Sequence, residues 1–339
     1  MTPDTYPNPL HGWRQIRTRH GERDVYRPEL RVVDCTIRDG GLCNDSWFTL
    51  EAVRSVFKAV CASGVDVCEL GYRNSKKHFS TEKYGPWRFC DEEDLLRATD
   101  GIDKRKTQIA IMQDAHKADP DDIPPKEKSI VDMIRIATYV KDLDKAVLMA
   151  NNATDKGYIS SINIMAISHE GGPVLDEALQ RIEEETKVQS VYIVDSFGAL
   201  YSEEIFFLVE KYQQFIKTKE IGIHAHNNQQ LAFANTMQAM LKGVNYLDAT
   251  LFGLGRGAGN CPLELLLGFL KNPKFDILPI LECVGTTIVP LQKEIAWGYH
   301  MPYMLTGMLD QHPESSMDWL KHGNGDRYDY VKFYRKITQ

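Results

Sequence analysis

The sequence predicts a (β/α)8 TIM barrel with a short N-terminal arm and a mostly helical C-terminal extension. Two observations carry that fold class. Short apolar, β-branched runs alternate with amphipathic stretches from about residue 31 to residue 270. Polar residues recur at or near the ends of those runs: Arg38 and Asp39, Glu69, Gln113, Arg135, Asn163, Asp195, then His224 and His226. A closed barrel gathers such ends at one mouth, whereas an open doubly wound sheet scatters them along an edge. The expected organisation is an arm over 1–30, a catalytic barrel over 31–270 and an extension over 271–339 packed on the barrel.

The units follow in order. Arg31–Ile37 (RVVDCTI) and Val65–Leu70 read as the first two strands, on either side of a helix over Leu50–Ala62 with Val53, Val56, Phe57 and Val60 on its apolar face. Gln108–Met112, Met133–Ile136, Ser161–Ile164, Ser190–Val194, Ile221–Ala225 and Tyr246–Leu251 complete eight strands. Helical periodicity covers Leu143–Ala153, Val174–Thr186, Ser202–Ile216 and Leu231–Leu241, and Ser202 with Glu203 and Glu204 behind it is a start signal. Ala115–Ser129 contains Pro120, Pro124 and Pro125, which predict a loop. Beyond residue 270, a Pro-containing link leads into Leu281–Met308, mostly helical in pattern, and then a polar, aromatic end.

Composition excludes several classes. With 43% apolar and 26% charged residues, the 339-residue chain is neither disordered nor a coiled coil. A net charge of −7 gives no footprint for nucleic acid or an anionic membrane. Six arginines between Arg14 and Arg31 read as a solvated or subunit-docking arm. No apolar stretch reaches 18 residues, so no membrane span is expected. The N-terminus lacks an apolar signal core, and seven cysteines without a CxxC pair suit reduced thiols in the cytoplasm.

Three motifs carry chemistry. In His224-Ala225-His226, residues i and i+2 of a strand project from one face, so both imidazoles can reach one metal ion, or remain two surface histidines. In Asp34-Cys35-Thr36-Ile37-Arg38-Asp39-Gly40-Gly41, Asp39 can supply a hard oxygen ligand and Arg38 can steady a carboxylate or an enolate oxygen. The same pair can equally be a structural ion pair, and the two glycines are free to take positive φ. Gly253-Leu254-Gly255-Arg256-Gly257-Ala258-Gly259-Asn260 follows the last strand, not the first, which argues against a dinucleotide fingerprint. It fits a loop that binds phosphate or carboxylate, with Gly255 and Gly257 at the substrate and Asn260 either a metal ligand or the N-cap of the next helix. The four donors Asp39, His224, His226 and Asn260 suit Mn²⁺ or Mg²⁺, with Zn²⁺ and Co²⁺ as other choices.

DCTIRDGG, IHAHNN and GLGRGAGN together resemble the signature motifs of the HMG-CoA-lyase-like (DRE-TIM metallolyase) superfamily, over roughly residues 31–270. The resemblance is nearest to catalytic domains of the 4-hydroxy-2-oxovalerate aldolase type. It implies that Asp39, His224 and His226 bind the divalent metal, with Asn260 a ligand in some members, and that Arg38 stabilises an enolate. The condensing synthases carry Glu-Gln where this chain has Gly41 and Leu42. The aldolases place a histidine base at the position of Leu42, so the proton-transfer group must differ. The segment Trp297–Tyr303 resembles the aldolase stretch whose tyrosine reaches the active site. Tyr299 is therefore the first candidate helper, or an aromatic that packs the tail, with His300 and Asp45 behind it.

The expected function is a divalent-metal-dependent aldolase acting on a small-molecule 2-oxo acid through a pyruvate enolate, with Glu69, Asn163 and Ser196 at the substrate. Claisen-type condensation of an acyl-CoA and a metal-binding barrel without turnover are the alternatives. The apolar residues Trp297, Tyr299, Met301 and Met304 are expected to be exposed and to support a homodimer. A partner dehydrogenase receiving the product is a further possibility.

Overall fold

A computed structural model describes residues 14–18, 21–323 and 326–339, with side chains from Arg27 onward. β1 (Arg14–Thr18) and β2 (Gly21–Tyr26) pair as an antiparallel two-stranded sheet. The arginines expected to form a basic arm fall largely outside the described side chains.

Eight parallel strands follow and close into a barrel in chain order: β3 (Arg31–Asp34), β4 (Val67–Tyr72), β5 (Gln108–Asp114), β6 (Met133–Thr138), β7 (Ile159–Ile164), β8 (Ser190–Asp195), β9 (Glu220–Ala225) and β10 (Tyr246–Ala249). Closure pairs Tyr246 with Arg31 and Ala249 with Asp34. The expected TIM barrel is the observed fold. Its strands are buried on both faces, as helix-sheathed parallel strands must be. Val33, Val67, Ala110, Met133, Tyr192 and Tyr246 fill the interior beneath the mouth.

The outer layer is α2 (Leu50–Ala62), α3 (Glu92–Thr99), α4 (Leu143–Asp155), α5 (Gly172–Glu185), α6 (Ser202–Phe215), α7 (Ala232–Leu241) and α8 (Leu263–Leu270); α1 (Thr36–Gly40) is a single helical turn at the mouth. α2 starts where Thr49 Oγ1 accepts the Ala52 N–H at 3.2 Å. α6 starts at Ser202 as expected, with Glu204 reaching back to the Tyr201 N–H at 2.8 Å. The proline-rich stretch after β5 holds only short turns at Pro120–Asp122 and Lys126–Lys128.

One strand ends early. Asp34 Oδ1 accepts the backbone N–H of Thr36 at 3.3 Å and also its hydroxyl, and this local bonding turns the chain into α1. Arg38 and Asp39 therefore sit on a helical turn rather than at a strand end. Gly40 and Gly41 do not take positive φ either. Gly41 lies at φ −61°, and a Cβ on Gly40 would come within 2.9 Å of Leu254, so Gly40 serves a close approach.

The extension comprises α9 (Leu278–Cys283), a π turn (Val284–Ile288), α10 (Val289–Leu291), α11 (Met301–Met308), α12 (Glu314–His322) and α13 (Tyr330–Thr338). The helical pattern expected from Leu281 to Met308 is thus interrupted between residues 292 and 300. Trp297 is buried there, its indole N–H donating to the Phe252 carbonyl at 3.1 Å. Of the four apolar residues expected to be exposed, only Tyr299 is, at 53%. Among the described residues, no helix is long and apolar enough to cross a membrane.

Candidate active site and metal centre

α1 carries Asp39, and the end of β9 and the next residue carry His224 and His226. One ligand atom from each of these three buried side chains lies within 4.8 Å of the others. The imidazole centroids are 5.1 Å apart, as i and i+2 spacing on a strand allows. Asp39 Oδ1 accepts from Arg38 Nη1 at 2.6 Å, and Oδ2 accepts from Asn260 Nδ2 at 2.6 Å. Asn260 is not a helix cap: α8 begins after Pro262, and the asparagine points at Asp39 instead.

Two buried atoms have no hydrogen-bond partner here, His224 Nε2 and Asn260 Oδ1. Buried polar atoms rarely go unsatisfied in a folded chain, because each lost partner costs about 1–3 kcal/mol. His224 Nδ1 engages Asp248 at 3.0 Å, a contact that orients the ring and leaves Nε2 with a lone pair. Burial, helped by Arg256 and His224, pushes the His226 pKa down to about 3, which keeps that ring neutral at physiological pH. Burial works to raise the Asp39 carboxyl, but His226 and Arg38 outweigh it and hold the group well below the usual carboxylate range. Two imidazoles, an ionised carboxylate and a free amide oxygen fit a divalent cation. Cys35, His224 and Asp248 form a second cluster, but it fits less well. Burial pushes the Cys35 thiol well up, and Arg135 already pairs with Asp248.

An unbroken run of buried hydrogen bonds connects the two sides of this centre beneath the mouth. From His224 it passes to Asp248, then to Arg135 Nη2 at 2.6 Å. Arg135 Nη1 reaches Glu69 Oε2 at 2.8 Å, and the same oxygen accepts from Arg38 Nε at 2.7 Å. Arg38 closes the run on Asp39. Buried charge pairs add little net stability, yet breaking one leaves a costly uncompensated charge, so the run fixes the positions of Arg38 and His224. Glu69, expected at the substrate, is fully buried and lies among the arginines rather than lining the pocket.

The pocket above has Arg38, His224 and His226 on one side, and on another Asn163 and Val194 from β7 and β8 with Met165 and Ser196 just beyond those strands. Leu42, Tyr72, Met112 and Ala137 form an apolar wall, and Arg88, Asp114, Lys117, Tyr139, Arg256 and His312 complete the lining. Asn163 Oδ1 accepts from Ser161 at 2.7 Å, and Ser196 Oγ accepts the Ala166 N–H at 2.8 Å. Gly255 and Gly257 shape the loop without lining the cavity. A Cβ on Gly255 would collide with both Asn260 Nδ2 and Asp39 Oδ2, and Gly257 adopts φ +67°.

Tyr299 does not reach this pocket. It is half exposed and its hydroxyl lies beside Met301, because burial of Trp297 anchors the preceding residues and leaves Tyr299 on the outer side. Neither His300 nor Asp45 lines the pocket. The extension instead contributes His312, whose Nε2 is 3.1 Å from Arg256 Nη1. Asp248, Arg88 and His312 went unmarked in the sequence, and Arg256 stood in the glycine-rich motif without a role of its own. The one available signal was a lone acid in the strand Tyr246–Ala249.

The HMGL-like family model matches residues 86–280. The chain belongs to the HMGL-like family. Curated relatives include a 4-hydroxy-2-oxovalerate aldolase of Thermus thermophilus, 30% identical over 264 residues and covering 77% of this chain and 75% of the relative. Another, from Pelotomaculum thermopropionicum and of the same name, is 31% identical over 272 residues, or 78% of each chain. Among solved structures, the N-terminal domain of a protein designated an aldolase from Bacteroides vulgatus superposes with a TM-score of 0.76 at 30% identity, over 86% of this chain and 97% of that domain. The HMGL-like match thus spans β5 to β10 and includes both histidines.

Proposed function

We propose that the chain is a divalent-metal-dependent aldolase that cleaves or forms a carbon–carbon bond of a 2-oxo acid, in the manner of the 4-hydroxy-2-oxovalerate aldolases it is similar to. The supporting observation is the buried Asp39, His224 and His226 cluster, with two orphaned acceptors, beside Arg38 at the bottom of a pocket. Asp39, His224, His226 and Asn260 would hold the cation, which when bound supplies Lewis-acid polarisation of a 2-oxo acid's oxygens. Manganese or magnesium is the choice because oxygen donors sit alongside the imidazoles.

The chain's own residues supply the rest. Arg38 is clamped by Glu69 and Asp39, so its charge is already in place where an enolate oxygen develops, and no reorganisation is needed during the reaction. Ser196 and Asn163 border the substrate on the opposite side, and the apolar wall at Leu42 keeps water from the departing aldehyde. In cleavage the 4-hydroxyl gives up its proton, the C3–C4 bond breaks, and C3 later takes a proton. Leu42 cannot accept a proton; His312 is the pocket's imidazole outside the metal set.

The protein would work in the cytoplasm, as free cysteines allow, with 31–270 as its catalytic unit. The exposed Tyr299, Leu278 and Leu281 are where we place a homodimer contact, and a dehydrogenase would consume the aldehyde; sedimentation showing a monomer removes the first. The manganese-reconstituted protein should exchange the C3 protons of pyruvate in deuterated water and join pyruvate to acetaldehyde. His224→Ala with His226→Ala should abolish manganese uptake. Stoichiometric manganese with neither reaction overturns the reading.

A further inference from the structure

We propose that the aldehyde half of the substrate ends in an anion, a carboxylate or a phosphate, that seats on the guanidinium of Arg88. The inference rests on the aldolase reading above and specifies the substrate class of that site.

Five arginines with described side chains are buried: Arg27, Arg38, Arg73, Arg88 and Arg135. Four are paired with carboxylates, Arg27 with Glu29, Arg38 with Asp39, Arg73 with Glu92 and Arg135 with Glu69, at 2.6–2.9 Å. Arg88, 6% exposed, has neither a carboxylate nor a hydrogen-bond acceptor among the described residues, and its Nε is buried without a partner. A guanidinium keeps its charge and its five N–H donors wherever it is placed, and burying it unpaired is strongly unfavourable. The pairing of the other four marks Arg88 as the exception, a buried guanidinium without a carboxylate among the described residues.

The surroundings hold the group in position without satisfying its donors. Arg88 ends the turn Pro86–Arg88 that follows β4. Its guanidinium lies 4.8 Å from the ring centroid of Tyr72, 5.1 Å from that of Tyr84 and 5.3 Å from that of Phe79. Rings stabilise a cation through their faces and accept no strong hydrogen bond, so the N–H edge stays available for a bidentate anion. Arg88 also lines the pocket itself.

Its place in the ring fits the far end of a substrate. β9, which carries His224, stands across the eight-strand ring from β5, next to the strand that Arg88 follows. Leu42, Met112 and Ala137 contribute apolar surface to this pocket. Nearby Lys117 is already paired with Asp114 at 3.2 Å, so Arg88 is the cation of this wall without a carboxylate among the described residues. A short carbon chain over the apolar wall, with an anion at its end, satisfies all of these features. A small neutral aldehyde leaves Arg88 unpaired.

The test is aldol addition, in which C3 of pyruvate bonds to the aldehyde carbon and its proton ends on the new hydroxyl. kcat/KM is measured on the manganese-loaded chain for matched pairs: succinic semialdehyde against butanal for a carboxylate, glyceraldehyde 3-phosphate against glyceraldehyde for a phosphate. The expected result is at least a tenfold preference for the anionic member of one pair, and the pair that shows it names the anion. Arg88→Gln should collapse that ratio toward one, and Arg88→Lys should retain part of it. A wild-type ratio near one in both pairs overturns the proposal, as does a ratio unchanged by Arg88→Gln. If no aldehyde reacts and the C3 protons of pyruvate do not exchange either, the aldolase reading has failed. Calorimetry of succinic semialdehyde and of glyceraldehyde 3-phosphate without pyruvate then still decides about Arg88: binding weakened at least tenfold by Arg88→Gln supports the seat, and equal binding removes it.

Discussion

Arg38 and Asp248 act through what they touch. Arg38 faces the pocket with its charge fixed by Glu69 and Asp39, so its loss removes stabilisation that grows as the enolate forms. Arg38→Ala should lower kcat by about 10²–10³-fold with a much smaller change in KM. Steady-state kinetics with manganese content measured on the same sample checks this, and near-normal turnover defeats the assignment. Asp248 touches no substrate and positions His224 through Nδ1. Asp248→Asn should weaken manganese binding by about 10–100-fold, read by equilibrium dialysis. Unaltered affinity would mean that His224 needs no such partner. Of these two residues, Arg38 was legible, because it stands beside Asp39 in a motif. Asp248 was not, since its meaning depends on an imidazole 24 residues away in the chain. Arg88 was less legible still, because its significance is the lack of a partner, which no spacing in a sequence can express.

Elements were legible in proportion to how far apolar periodicity alone decides them. α2 begins and ends where the pattern of Val53, Val56, Phe57 and Val60 places it, and all eight strands lie where β-branched runs predict them. Misreadings arose where side chains bond to nearby backbone or where the chain must change direction. Asp34 and Thr36 cut the first strand short, and α3, with only Leu95 and Ala98 buried, is too short to show a period. Tyr299 was misplaced because a spacing says nothing about which way an irregular segment faces once a neighbour such as Trp297 is buried. The glycine loop was placed correctly, but the reason for its composition emerges only in three dimensions. At Gly255 the backbone passes so close to Asp39 and Asn260 that a methyl group cannot be added without moving a proposed ligand. Gly255→Ala should therefore reduce manganese affinity by at least about tenfold, while circular dichroism stays that of the folded barrel; the comparison is with second-sphere changes, which cost 10–100-fold. Normal manganese binding in that variant shows that the loop can shift as a body.

The whole barrel depends on one seam, where the last strand meets the first, and that seam carries a titrating group. Asp34 ends β3, is fully buried, and accepts from the hydroxyl of Thr36, which in turn accepts the Leu251 N–H at 2.8 Å, just beyond β10. The Cys68 thiol donates to its other oxygen at 3.6 Å from β4. No cation pairs with Asp34 among the described residues, in contrast to Asp39 and Asp248. Burial accordingly pushes its pKa up to about 7 from 3.8, against the opposing pull of the Thr36 contacts. The native state then binds a proton that the unfolded chain has released, so this group makes stability fall as pH rises from about 4 to about 7, by on the order of 4 kcal/mol in all, with no further loss above that range. Asparagine preserves the acceptor facing Thr36 and cannot ionise. Asp34→Asn should therefore be more stable than the parent at pH 8, about equal to it near pH 4, and flatter in between. Thermal unfolding followed at pH 5, 6, 7 and 8 for both proteins measures this directly. Parallel curves, with the same loss of stability in parent and variant, would show that the seam carries an ionised Asp34 without cost and that its closure does not depend on a proton.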